Sequence, residues 1–248
     1  MIKTVIIQNE KVNNGKKIEL KACISQEIIS QQATEIFFHE HYKPDKKGKV
    51  CLDIGANIGL ASLYLKDYAE EIHAIEPSYE CYQCLVENTK DYNIKTYPIA
   101  IGTANEKRKL FGKEDEPPQT FYNNIFNNYT YNIDVESLTI DRFMDENNIN
   151  HVDIMKIDVE GAEYEIFMSP GFEKVADKID FIIGEAHVLV NCFPMAIPEI
   201  LKTYGFETEF KQLKEPNYIY HISFENPEIN YKKQVNIPMN TIFVARKT

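Results

Sequence analysis

Val50-Cys51-Leu52-Asp53-Ile54-Gly55-Ala56-Asn57-Ile58-Gly59 is the stretch that decides the fold. An apolar run ends in an acid and then turns through two glycines into a helical pattern, so it reads as strand, tight loop and helix start. Glycines at such a turn permit unusual backbone angles and the close approach of a ligand. Upstream, Lys43-Pro44-Asp45-Lys46-Lys47-Gly48 punctuates the chain. Downstream the elements alternate. Lys49–Ile54, Glu71–Ile75, Ile94–Ile101, Val152–Ile157 and Ile179–Gly184 read as strands. Ile58–Tyr68, Ser78–Tyr92, Ala162–Met168 and Pro194–Tyr204 read as helices. Short strands bounded by helices imply βαβ units, right-handed crossovers and a mostly parallel sheet covered on both faces.

The rest of the chain frames this unit. TVIIQ and KIELKAC flank Asn13-Asn14-Gly15 and read as a hairpin. Ser25 to Tyr42 follows as an amphipathic helix, with Ile28, Ile29, Ala33, Ile36 and Phe37 near a 3.6 period. The tail runs Tyr218–Ser223 and Thr241–Ala245 suit an antiparallel edge on a mixed sheet. Lys107–Val135 breaks the pattern. It carries Pro117-Pro118, several Asn, and the aromatics Phe121, Tyr122, Phe126, Tyr129 and Tyr131, and is either a surface insertion or a lid. The expected organisation is an N-terminal hairpin and helix over 1–44 and a catalytic domain over 45–248 with an insertion at about 107–135. No period of 20–50 residues marks a solenoid.

The 248 residues carry a net charge of −11, which argues against a general binder of nucleic-acid backbone. No apolar run approaches the ~20 residues of a membrane span, and the start lacks a signal-peptide core. Five cysteines, an odd number without framework spacing, point to reduced thiols in a cytoplasm. Cys81-Tyr-Gln-Cys84 is a lone CxxC, read as packing because no second Cys/His pair stands at zinc-site spacing.

The loop limits what it can hold. A dinucleotide fingerprint needs G-x-G-x-x-G, and a phosphate-loop ATPase needs G-K-[ST]; neither is present. Asp53 directly before the glycines would repel a pyrophosphate but suits an α-amino group or a sulfonium, and S-adenosylmethionine carries both. Ligands of open parallel sheets sit outside the carboxyl ends of the strands. Glu76, 23 residues after Asp53 and followed by Pro77, ends the next strand and can accept both ribose hydroxyls of a nucleoside.

Lys156-Ile157-Asp158-Val159-Glu160-Gly161-Ala162-Glu163 ends what would be the central strand. Alternation puts Lys156 and Asp158 on one side. Lys156 needs a partner there, since an unpaired buried charge is costly. Glu163 reads as favourable charge at a helix start. Glu185 and His187 share a side of the following strand, so Asp158, Glu160, Glu185 and His187 should meet at one mouth. Such a set can place a general base beside a hydroxyl or bind a divalent cation. The remaining histidines, His39, His41, His73, His151 and His221, read as surface or packing residues.

LDIGANIGLAS, AIEPS, MKIDVEGAEYEIF and GEAH, in that order, resemble the FkbM-type methyltransferases over roughly residues 45–210. The resemblance implies a class I, Rossmann-like α/β fold: a mostly parallel seven-stranded sheet whose last strand, fitted by Thr241–Ala245, is reversed. It implies S-adenosylmethionine as cofactor and O-methylation of sugars or natural products as activity. Asp53, Gly55, Ala56, Asn57, Gly59, Glu76 and Pro77 would hold the cofactor, with Ala100 and Ile101 near its adenine. Asn88 falls in a Leu-x-x-Asn pattern similar to the family's and reads as structural. Catalysis would fall to Asp158, Glu160, Glu185, His187 and Lys156, either by proton removal or with magnesium, a choice the residues leave open. The acceptor would be a hydroxyl of a sugar, glycan or small metabolite, with no nucleic acid as partner. A non-catalytic cofactor-binding protein and a nicotinamide-dependent oxidoreductase are the alternatives.

Overall fold

The structure, a computed structural model, describes residues 2–7, 18–114, 117, 119–122, 129–187, 194–211, 219–226, 231–238 and 240–248. In chain order its strands and helices are β1 (Lys3–Ile7), β2 (Ile18–Ala22), α1 (Gln26–Ala33), β3 (Gly48–Ile54), α2 (Leu60–Leu65), β4 (Ala69–Ile75), α3 (Tyr79–Thr89), β5 (Ile94–Tyr97), β6 (Ala100–Gly102), β7 (Glu106–Gly112), β8 (Tyr131–Thr139), α4 (Ile140–Glu146), β9 (Ile154–Ile157), α5 (Glu163–Phe167), α6 (Pro170–Val175), β10 (Phe181–His187), α7 (Ala196–Lys202), β11 (Phe206–Phe210), β12 (Ile219–Asn226), β13 (Tyr231–Pro238) and β14 (Asn240–Lys247).

The main sheet has seven strands in the order β11-β14-β10-β9-β3-β4-β5, and β14 runs antiparallel to both its neighbours. β3 lies inside it, between β9 and β4, and is apolar on both faces. Cys51 packs with Leu60, Leu63, Leu65, Cys84 and Leu85 on one side, and Leu52 with Phe143, Ile166 and Phe167 on the other. Burying each such side chain contributes about 1.5–3 kcal/mol, so the two apolar layers clamp the sheet between α1–α3 and α4–α7. No helix among the described residues is long and apolar enough to cross a membrane.

The N-terminal hairpin forms, with β1 antiparallel to β2; its Asn13-Asn14-Gly15 turn lies outside the described residues. Ser25 caps α1 by accepting from the Ile28 N–H, and the helix closes in a π turn over Thr34–Phe38, short of Tyr42. Asn88 holds this N-terminal unit to the core: its side chain accepts from Lys21 N and donates to the carbonyls of Lys21 and Ile58.

Four expectations change. Ile94–Ile101 is two strands, since Pro98 has no N–H to offer a ladder; β5 stays in the main sheet while β6 pairs with β8. The ends of Lys107–Val135 are not aperiodic: β7 and β8 pair antiparallel beside β6 in a three-stranded sheet, their alternation masked by the charged run Glu106-Lys107-Arg108-Lys109. Phe126 and Pro118 lie outside the described residues. β14 is antiparallel as expected but not at the edge. Ile242 to Ala245 are all buried, so it fits only inside the sheet, and amphipathic β11 takes the edge. β12 pairs with β13 in a sheet of its own.

One polar pair sits within this apolar frame. Asp53 and Lys156 are register partners on β3 and β9, and their side chains form an ion pair at 3.1 Å, each at most 2% exposed. Ser62 Oγ donates to the other Asp53 oxygen at 2.6 Å, and Lys156 Nζ donates to the Gly55 carbonyl at 2.7 Å. Asp53→Ala is therefore expected to destabilise the chain itself, by about 3–5 kcal/mol, because it strands a buried ammonium. Asp53→Leu combined with Lys156→Met should recover most of that loss. Urea unfolding of the two variants checks this; a single-variant loss under about 1 kcal/mol would show the pair to be dispensable.

Candidate active site

At the carboxyl ends of β3, β4, β9 and β10 lies a cavity of about 310 Å³. Its floor is the glycine loop. Gly55 has φ +79°, and a Cβ there would sit 1.9 Å from the Asp158 carbonyl oxygen, so only glycine lets the two strand ends approach. Asn57 follows with φ +51°. Its amide N–H donates to Glu76 Oε2 at 2.9 Å, while Ser78 N–H donates to Glu76 Oε1 at 2.8 Å. Burial raises the Glu76 carboxyl to about 7 against the pull of those two N–H groups. The Asn57 side-chain Oδ1 is buried and has no partner among the described residues.

Of the sequence-predicted cofactor residues, Gly55, Ala56, Asn57, Glu76, Pro77, Ala100 and Ile101 line this cavity. Asp53 and Gly59 do not. Asp53 faces Lys156 and Ser62 beneath the loop, where its charge is already matched, and Gly59 packs toward Leu85 and Thr89. All five sequence-predicted catalytic residues, Lys156, Asp158, Glu160, Glu185 and His187, line it.

The register explains their convergence. Ile183 pairs with Lys156 and Gly184 with Ile157, so Asp158 and Glu185 leave adjacent strands at the same height. His187 Nδ1 lies 2.9 Å from Glu163 Oε1. Its Nε2 faces Glu160 Oε2 at 3.5 Å and Asp158 Oδ1 at 3.8 Å, gaps that leave room for another polar atom. Burial works against an imidazolium here, but Glu163, Glu160 and Glu185 outweigh it and hold His187 well above its ordinary pKa. Burial and then Asp158 push Glu185 up to about 8. Lys156 is raised despite burial, chiefly by Asp53 and then Asp158.

Two members of this set escaped the sequence reading. Glu163 does stand in the first turn of α5, but it is fully buried, accepts from the N–H groups of Val159 and Gly161, and orients His187. Tyr42 reaches in from the N-terminal segment and donates to Asp158 Oδ2 at 2.9 Å, with Glu185 Oε2 at 3.4 Å. Nothing local to Tyr42 announces this, because its partner is 116 positions away. Gln31, Gln32, Glu35 and His41 line the same wall, and Leu110, Gln119 and Phe121 close another. His41 is thus a cavity residue rather than a packing one, and His151 has company at Asp180, 3.3 Å away. Asp158, Glu185 and His187 bring donor atoms within 4.8 Å of one another, a set that could hold a divalent cation. Cys81 and Cys84 are core residues, with Cys81 Sγ 3.4 Å from Cys23; Cys192 lies outside the described residues.

Comparison with known proteins gives these results. Among solved structures, an S-adenosylmethionine-dependent methyltransferase from Agrobacterium tumefaciens has a TM-score of 0.47 at 10% identity, covering 98% of this chain and 70% of that one. The precorrin-6y C5,15-methyltransferase of Geobacter metallireducens has a TM-score of 0.44 at 14% identity, covering 90% and 89%. The hexuronic acid methyltransferase AglP of Haloferax volcanii is 25% identical over 170 residues, or 66% of this chain, and the match spans 66% of that relative's length, just under two thirds. Residues 53–212, more than half of the chain and the part that carries the glycine loop, Glu76 and the carboxylate–imidazole mouth, match the methyltransferase FkbM domain, and the protein belongs to that family of methyltransferases.

Proposed function

We propose that the chain is an S-adenosylmethionine-dependent O-methyltransferase acting on a hydroxyl of a sugar, glycan or small metabolite. The observation that carries this reading is one continuous cavity with the glycine loop and Glu76 at one end and the Asp158–Glu185–His187 mouth at the other. The cofactor residues fit the group. Glu76 uses one lone pair of each oxygen on a backbone N–H and keeps others for ribose hydroxyls. The orphaned Asn57 Oδ1 offers an acceptor to a donor of the ligand, and Ala100 and Ile101 give the adenine an apolar wall. Asp53 acts at one remove, through Lys156 and the Gly55 carbonyl that Lys156 holds.

When bound, the cofactor supplies a methyl group already activated on a sulfonium. The chain's part is alignment and proton removal. Glu163 fixes the His187 ring through Nδ1 and, with Glu160 and Glu185, keeps it an imidazolium, so its Nε2–H donates to the acceptor oxygen. Asp158, oriented by Tyr42, takes the hydroxyl's proton as the methyl bond forms. A magnesium ion on Asp158, Glu185 and His187 is the second reading, favoured by the closeness of those donors, and would act by lowering the hydroxyl's pKa. Free thiols at Cys23, Cys51, Cys81 and Cys84 are in keeping with a cytoplasmic setting.

His187→Ala should lower turnover by about 100-fold or more while the affinity for S-adenosylhomocysteine stays near wild type. Calorimetry beside a turnover assay checks both, and an unchanged rate removes His187 from the mechanism. A second outcome follows from Glu76. Its ionised form is the one that receives ribose hydroxyls, and its pKa is raised to about 7. Affinity for S-adenosylhomocysteine should therefore fall about tenfold between pH 8 and pH 6, and Glu76→Gln should bind weakly with no such slope. A wild-type affinity flat across that range would detach Glu76 from the cofactor.

A further inference from the structure

Three thiols meet where the N-terminal unit docks on the core. Cys23 follows β2, and Cys81 and Cys84 stand on α3. Cys81, Cys84 and Asn88 recur at spacings of three and four, so they share the face of α3 that meets β2. Asn88 is bonded to Lys21 at one end of that seam. At the other end Cys23 Sγ lies 3.4 Å from Cys81 Sγ, in hydrogen-bond contact. All three cysteines are free thiols. Their settings differ. Cys23 is half-buried and Cys84 fully buried, whereas Cys81 packs on the core and also lines the cavity beside Glu76 and Pro77.

We infer that Cys23 and Cys81 are a reversible modification site: peroxide joins them as a disulfide that staples the N-terminal unit to α3 at the cavity wall. The geometry needs little change, since closing the bond brings the two sulfurs about 1.4 Å nearer. The chemistry balances with hydrogen peroxide as oxidant. The Cys81 sulfur attacks one peroxide oxygen, the O–O bond breaks, Cys81 becomes a sulfenic acid and one water leaves. The Cys23 sulfur then attacks the Cys81 sulfur. The S–O bond breaks, and the Cys23 proton leaves with that oxygen as a second water. Two thiols lose two electrons, and one peroxide is reduced to two waters. The order of attack follows from the surroundings. Cys81 stands in the first turn of the 11-residue α3, at the electropositive end of that helix, and faces the cavity by which a small oxidant enters. Its contact with Cys23, helped by burial, pushes the Cys23 thiol up to about 12, so Cys23 keeps its proton until the second step. In a reducing compartment such a bond is transient and reports oxidant. A cofactor in the cavity covers Cys81, so this response belongs to the empty enzyme.

The test uses the full chain, reduced and then freed of reductant. Hydrogen peroxide is added in equimolar amount, with and without saturating S-adenosylhomocysteine. Remaining thiols are alkylated, and the unreduced peptides are mapped by mass spectrometry. The expected product is a Cys23–Cys81 crosslink that dithiothreitol removes. Cys84→Ser should leave the crosslink in place. Cys23→Ser, checked for folding by circular dichroism, should abolish it and let Cys81 run on to the sulfinic acid. Bound S-adenosylhomocysteine should slow the crosslink by about tenfold or more, because access limits the attack. A crosslink through Cys84 or Cys192, or recovery of Cys23 and Cys81 as alkylated thiols after peroxide is consumed, would overturn the site. An equal rate with S-adenosylhomocysteine bound would overturn the cavity route and the order of attack. That last arm alone rests on the transferase reading. Calorimetry that finds no binding of S-adenosylhomocysteine removes that reading, while the peptide map judges the crosslink by itself.

Discussion

The Lys156–Asp53 ion pair is the constraint on which the site depends. It joins register partners on two adjacent inner strands, and both side chains are buried. Removing two charges from water costs several kcal/mol per ion, so the pair persists only with close geometry and further hydrogen bonds. Those further bonds are what shape the site. Ser62 ties Asp53 to α2, and the Gly55 carbonyl ties Lys156 to the glycine loop. The loop's position is thus set from below by a charge pair and from the side by Gly55 against the Asp158 carbonyl.

The mouth repeats this logic one layer nearer the cavity. Glu163 is held by the backbone N–H groups of the turn it follows, and it holds His187. Tyr164, next in the chain, donates to the His187 carbonyl at 2.7 Å, so consecutive residues of α5 fix both the ring and the backbone of that histidine. Short helix α5 is in this sense a bracket for β10. Its apolar side, Ile166 and Phe167, anchors the bracket in the core.

The legible parts of the sequence were those where one strand or one loop carries its own pattern. The β3 run, the glycine turn, the strand-end acids Glu76 and Asp158, and the Glu185/His187 alternation all follow from period and spacing, and the structure gathers all but Asp53 and Gly59 on the cavity surface. Asp53 is expected at the cavity surface but lies beneath it. A carboxylate beside a loop looks available, but Lys156 stands directly opposite in register and takes it. Tyr42 and Glu35 were illegible because their partners lie far away in the chain and their own segment reads as an ordinary amphipathic helix. The split of Ile94–Ile101 was written in Pro98, whose missing N–H ends the ladder.

These layers separate two jobs of charge. Deep in the molecule each ion has a fixed partner: Asp53 with Lys156, Glu163 with His187. Those pairs set geometry and contribute no net field. Above them Asp158 lies 3.8 Å from His187 Nε2 and 3.9 Å from Lys156 Nζ, and the Tyr42 hydroxyl stands between it and Glu185. The family-matched strands supply both layers, while Glu35 and Tyr42 reach the cavity from outside that match.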